Sequence, residues 1–181
     1  MPLIVPRGTA RFLPGFDDVR ELTPGEEVAV GGLRVTATPA LHEVRRGIRA
    51  HRVPALGYVI EGPPRIYFAG DTDVFPEMAS LGSLDVALVP VWGWGTSLGP
   101  GHLDPPAAAR TLPLLRPRVA VPIHWGTYFP AHRGRSGHPR LEDPPNEFAR
   151  AAAEVAPGVE VRILNPGEHL ELKPARRQGA A

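Results

Sequence analysis

The sequence predicts a layered α/β protein, and three observations carry that prediction. Two β-hairpin patterns come first in the chain, and apolar strand runs then alternate with helical patterns. The 23 Pro and 20 Gly residues fall between these segments instead of forming tracts, so they punctuate a fold and do not prevent one.

Taken in order, Leu3 to Val5 is a short apolar run with no recognisable neighbour, and it predicts an isolated strand whose edges are open. Val28 to Val30 and Leu33 to Thr38 are β-branched runs separated by Gly31-Gly32, the composition of a tight hairpin. Leu56 to Ile60 and Ile66 to Ala69 make a second hairpin across Glu61-Gly-Pro-Pro, and its last strand runs into Gly70-Asp71-Thr72. Phe75 to Leu81 has helical spacing and Val86 to Val91 is an apolar strand. Pro105 to Leu115 is a helix, because Asp104 can cap its free N–H groups and proline is tolerated at its first position. Val119 to Ile123 is an apolar strand that ends at His124. Pro144 to Val155 is a second helix opened by the Pro144-Pro145 pair, with Val159 to Leu164 and His169 to Leu172 as closing strands. Residues 1–173 read as one domain or a piece of one, without repeats, and residues 174–181 as a disordered tail.

Composition narrows the function. The chain is 43% hydrophobic and 22% charged, an ordinary globular balance, and it has no apolar run of the roughly 18 residues that suggest a membrane span. Met1 to Pro6 has neither a basic stretch before it nor a small-residue cleavage site, so it does not read as a signal peptide, and a cytoplasmic protein is expected. The absence of cysteine excludes thiolate ligands and leaves imidazole and carboxylate as the metal-binding groups. A net charge of +1 gives no basic stripe for a phosphate backbone, so no nucleic-acid partner is expected.

Three polar residues occupy comparable positions. His42 follows the strand through Val35 to Ala37, Asp71 follows Ile66 to Ala69, and His124 follows Val119 to Ile123. Strand ends hold side chains firmly yet leave an open rim, the requirement of a metal site with vacant positions. Taken singly, each histidine could be an ordinary surface or core imidazole, and Asp71 could cap the turn after Gly70.

Four stretches change that balance: Ala40-Leu-His42, Ile66-Tyr-Phe-Ala-Gly-Asp-Thr72, Gly101-His-Leu-Asp-Pro105 and Val121-Pro-Ile-His-Trp-Gly-Thr127. In order and approximate spacing they resemble the later motifs of the metallo-β-lactamase superfamily, and most of all the branch with N-acyl-phosphatidylethanolamine phospholipase D and ascorbate-6-phosphate lactonase. The similarity extends over roughly residues 2–172. It implies a metallo-β-lactamase-like αββα sandwich, with His42 binding one metal, Asp71 bridging two, and His124 binding the second. The family's His-X-His-X-Asp-His motif does not occur in these residues. The expectation is therefore a domain truncated at its amino terminus whose metal binding is impaired. His51, His132 and His138 are the histidines that could compensate.

By the same resemblance His102 belongs at the active-site rim, outside the metal set, as a hydrogen-bond donor or general acid. Trp92, Trp94 and Tyr128 either line that rim or pack their loops. Thr127 and Asp73 are candidates to support the ligands. The implied chemistry is a metal-dependent hydrolase acting on a small-molecule ester, phosphodiester or lactone, with His102 and Asp71 as catalytic residues. Two divalent metal ions are implied, zinc before manganese or iron. The competing reading is a non-catalytic remnant or binding module that folds without metal and self-associates as a homo-oligomer.

Overall fold

The computed structural model describes residues 1–42, 54–93, 98–126 and 142–172. Its first strand is not isolated. Leu3–Pro6 (β1) lies parallel to Val19–Leu22 (β2), with Leu3 opposite Val19 and Pro6 opposite Leu22. The sequence hid β2 because Arg20 and Glu21 sit at its centre, where alternation predicts at most one solvated position. Both charges have local work to do. Arg20 donates to the Ala29 carbonyl oxygen at 3.0 Å. Glu21 accepts the N–H groups of Gly8 and Ala10 at 2.8 and 2.7 Å, closing the turn that leaves β1.

The main sheet holds seven strands: Glu27–Val30 (β3), Leu33–Pro39 (β4), Leu56–Glu61 (β5), Ile66–Phe68 (β6), Leu84–Pro90 (β7), Pro117–Ile123 (β8) and Glu160–Val161 (β9), neighbours in that order. Gly31 and Gly32 take φ values of 56° and 83°, the two positive angles that a two-residue turn between right-twisted strands requires, and they set Val30 opposite Leu33. Strands β3 to β6 pair antiparallel, and β6 to β9 pair parallel. Because β4 and β6 are each antiparallel to β5, β4 points the same way as β6, β7 and β8. The carboxy ends of those four strands therefore meet along one edge of the sheet, where ligands bind in open sheets of this kind.

Each parallel strand divides its side chains between two faces. Ala87 and Val89 of β7 and Ala120 of β8 join a core beneath Pro105–Leu115 (α1) and Pro144–Val155 (α2), together with Tyr67, Leu112 and Phe148. Val86, Val119 and Val121 turn to the opposite face, where Leu164, Leu170 and Leu172 pack against them. Asp104 caps α1 as expected, its carboxylate accepting the Ala107 N–H at 2.8 Å. No helix among the described residues is long and apolar enough to cross a membrane.

Two further expectations are corrected. The segment with helical spacing around Phe75 forms a short 3₁₀ helix, Pro76–Ser80, that buries only Met78. One buried side chain over so short a stretch does not supply the apolar stripe that sustains longer α-helices. The closing strands shrink to the two residues of β9, and His169 to Leu172 forms no strand. The leucines there contribute apolar cover to the sheet face without joining its hydrogen-bond ladder. The tail at residues 174–181 lies outside the described residues.

Candidate metal centre

His42 leaves the end of β4 through a segment held on both sides. The Leu41 N–H donates to the Thr72 hydroxyl at 2.9 Å, and the Leu41 carbonyl accepts the Asp73 N–H at 3.0 Å. The ring is then fixed by the backbone of a distant loop, with His42 Nδ1 2.9 Å from the Gly101 carbonyl oxygen. A carbonyl can only accept, so Nδ1 carries a proton, and in the neutral ring Nε2 is the nitrogen with the lone pair.

Asp71 lies three residues beyond β6. Gly70 makes the turn possible, because its φ is +64° and a Cβ there would come within 2.7 Å of the Leu56 carbonyl oxygen. One oxygen of Asp71 stands 3.1 Å from Nε2 of His124. That hydrogen bond, chiefly, holds the Asp71 carboxyl below its ordinary range against the opposing effect of burial, with smaller electrostatic help from His124, His42 and His102. The same bond raises the pKa of His124. His124 follows β8 directly and takes a φ of +61°, a left-handed conformation that costs an L-residue about 1–2 kcal/mol. The fold accepts that strain where the side chain meets Asp71.

His102 arrives from the segment between β7 and α1. Its ring stands edge-on to His42, with centroids 4.7 Å apart and planes at 87°. Ligand-capable atoms of His42, Asp71 and His102 lie within 4.8 Å of one another. Among the described residues His102 Nδ1 is buried without a hydrogen-bond partner, which is costly unless a ligand satisfies it.

These residues suit a divalent cation. They offer imidazole nitrogen and carboxylate oxygen without thiolate. His42 already gives its second ring nitrogen to a carbonyl, as metal-bound histidines commonly do. With the Asp71 carboxylate within reach of His42, these side chains fit a divalent cation.

The structure thus gathers His42, Asp71 and His124, and brings His102 in among the donors although the resemblance set it apart from the metal ligands. Asp73 braces the loop: its carboxylate accepts the Val74 N–H at 2.7 Å while its own N–H holds Leu41. Trp92 is 6% exposed. Trp94, Thr127, Tyr128, His51, His132 and His138 lie outside the described residues. Two contributors escaped the sequence reading, the Gly101 carbonyl and the Thr72 hydroxyl. Both lie inside motifs that were noticed, but a backbone oxygen has no sequence signature and a threonine beside an aspartate reads as a turn.

Comparison with known proteins follows the same lines. Residues 3–125 match the family described as Beta-lactamase superfamily domain. The chain is similar to a UPF0173 metal-dependent hydrolase of Methanopyrus kandleri, 35% identical over 87% of this chain and 64% of that protein. It is also similar to one of Archaeoglobus fulgidus, 31% identical over 94% of this chain and 71% of that protein. Among solved structures it resembles Igni18, described as a novel metallo hydrolase from the hyperthermophilic archaeon Ignicoccus hospitalis, with a TM-score of 0.69 and 28% identity over 95% of this chain and 70% of that one. The chain spans 64%, 54% and 50% of the lengths of three curated relatives it matches.

Proposed function

This chain belongs to the β-lactamase superfamily domain family and, within it, to the UPF0173 family, and from that membership we propose that it serves a metal-dependent hydrolase, with His42, Asp71 and His124 as metal ligands. The observation that carries the reading is the meeting of three donor side chains from three separate strand ends at one edge of the sheet, around a carboxylate kept ionised. The relatives' printed names, which call them metal-dependent hydrolases, support it.

When bound, divalent metal supplies a nucleophile at neutral pH and an electrophile for developing negative charge. Zinc would suit the donor set best, and in the two-ion form of the proposal His42 would hold one ion, His124 the other, and Asp71, which stands by both histidines, would serve both. The residues do the remaining work. Gly101 fixes which His42 nitrogen is presented. His124 and Asp71 hold each other in place. His102, beside the His42 ring, is assigned outside the ligand set, as the group that would protonate the departing oxygen. Small ester, phosphodiester and lactone bonds are the substrates proposed, since each requires attack at an electrophilic centre and departure of an oxygen.

The test uses the 181-residue chain and its His42→Ala, Asp71→Ala and His124→Ala variants. Zinc uptake is followed by calorimetry, and turnover is followed on an aryl ester, an aryl phosphodiester and a simple lactone. Uptake that each substitution weakens at least tenfold, with turnover of one bond class that a chelator abolishes, is expected. Zinc uptake indifferent to all three substitutions would remove the assigned ligands. A chain that folds and self-associates but hydrolyses none of the three would point to a binding module instead.

A further inference from the structure

Thr72 follows Asp71 in sequence and is fully buried. Its hydroxyl uses both of its capacities. It accepts the N–H of Leu41, the residue before His42, at 2.9 Å, and it donates to the Asp73 carbonyl oxygen at 2.9 Å. The Leu41 carbonyl in turn accepts the Asp73 N–H at 3.0 Å. The chain before His42 and the chain after Asp71 are therefore tied at two points, one of them a side chain. Nothing in the strand ladder makes this tie, because β4 and β6 are separated by β5 in the sheet. Leu41 is 50% exposed.

We propose that Thr72 is a positioning residue that sets His42 against Asp71, and so determines the affinity of this site for a divalent cation without touching the cation. The proposal rests on the reading of His42 and Asp71 as metal donors. A burial role alone needs only the shape of the side chain, which valine keeps. A positioning role needs the hydroxyl, which serine keeps.

The experiment compares wild type with Thr72→Val and Thr72→Ser in two measurements. In the metal-free chain, NMR follows the His42 ring nitrogens, with the exposed His169 as a control. In parallel, zinc binding is measured by calorimetry. Thr72→Val is expected to shift the His42 ring signals and weaken zinc binding by about 10- to 100-fold, the range typical when a ligand's support is lost. Thr72→Ser is expected to leave both near wild type. If Thr72→Val does not fold, Thr72→Ala against Thr72→Ser isolates the same hydroxyl with no added bulk. Valine behaving as wild type in both measurements would overturn the proposal, and so would serine as damaging as valine. If wild type takes up no zinc, the proposed function fails, and the metal-free His42 signals still decide whether Thr72 positions that ring.

Discussion

His42 and Gly101 are 59 residues apart in the chain, yet Nδ1 of the one stands 2.9 Å from the carbonyl oxygen of the other. Since the carbonyl cannot donate, the contact fixes the tautomer of His42 before any metal arrives. In the metal-free protein, the long-range ¹⁵N spectrum of the neutral ring should show the proton on Nδ1 and not on Nε2. The reverse tautomer as the dominant form would mean that Gly101 does not orient this ring.

Gly70 should resist substitution for two independent reasons, its φ of +64° and the 2.7 Å approach of a new Cβ to the Leu56 carbonyl oxygen. Gly70→Ala is expected to lower stability by about 2 kcal/mol or more, combining left-handed strain with displacement of rigid backbone. Urea denaturation measures it. A loss within about 0.5 kcal/mol, the range of ordinary surface changes, would show that the turn before Asp71 can be rebuilt.

At His124 the backbone and the side chain have opposed interests. The positive φ of 61° strains any L-residue, whereas the side chain holds Asp71. Both His124→Ala and His124→Gly lose the Asp71 contact, but glycine also releases the strain. The glycine variant should be more stable than the alanine variant by about 1 kcal/mol. Equal stabilities in thermal or urea denaturation would mean that the left-handed conformation relaxes once the imidazole is gone.

Acid should weaken the β1–β2 corner through Glu21. Its pKa is lowered mainly by the Ala10 N–H, with further help from the Gly8 and Thr9 amides. A carboxylate whose folded pKa lies below its unfolded value stabilises the fold above the unfolded pKa. That stabilisation is lost as pH falls through the lowered folded value. Glu21→Gln should therefore be less stable than wild type at neutral pH, and the difference should shrink as pH falls below the ordinary glutamate range. A stability gap independent of pH between neutral and strongly acid solution would contradict the role assigned to its charge.

Much of the fold was legible because its signals are local. Gly31-Gly32 between β-branched runs specified a hairpin, and Asp104 before Pro105 specified where a helix begins, since each rests on the conformational preferences of adjacent residues. The apolar run ending at His124 gave a strand and placed that histidine at its end. What failed had no local signal. Strand β2 was concealed by Arg20 and Glu21, whose charges are used in specific contacts, and the leucines after β9 cover the sheet as side chains without extending its ladder.

By itself, the sequence determined which side chains could carry the chemistry and that three of them would stand at strand ends, because hydrophobic periodicity and turn residues fix where strands stop. Only the tertiary structure decided that those ends share one edge, since strand direction follows from pairing across the whole sheet. The tertiary structure also decided that His102 stands beside His42, that Gly101 orients that ring, and that Thr72 reaches Leu41 across 31 residues. Those relationships depend on hydrogen bonds between segments distant in sequence, and such contacts exist only once the intervening strands and loops have packed.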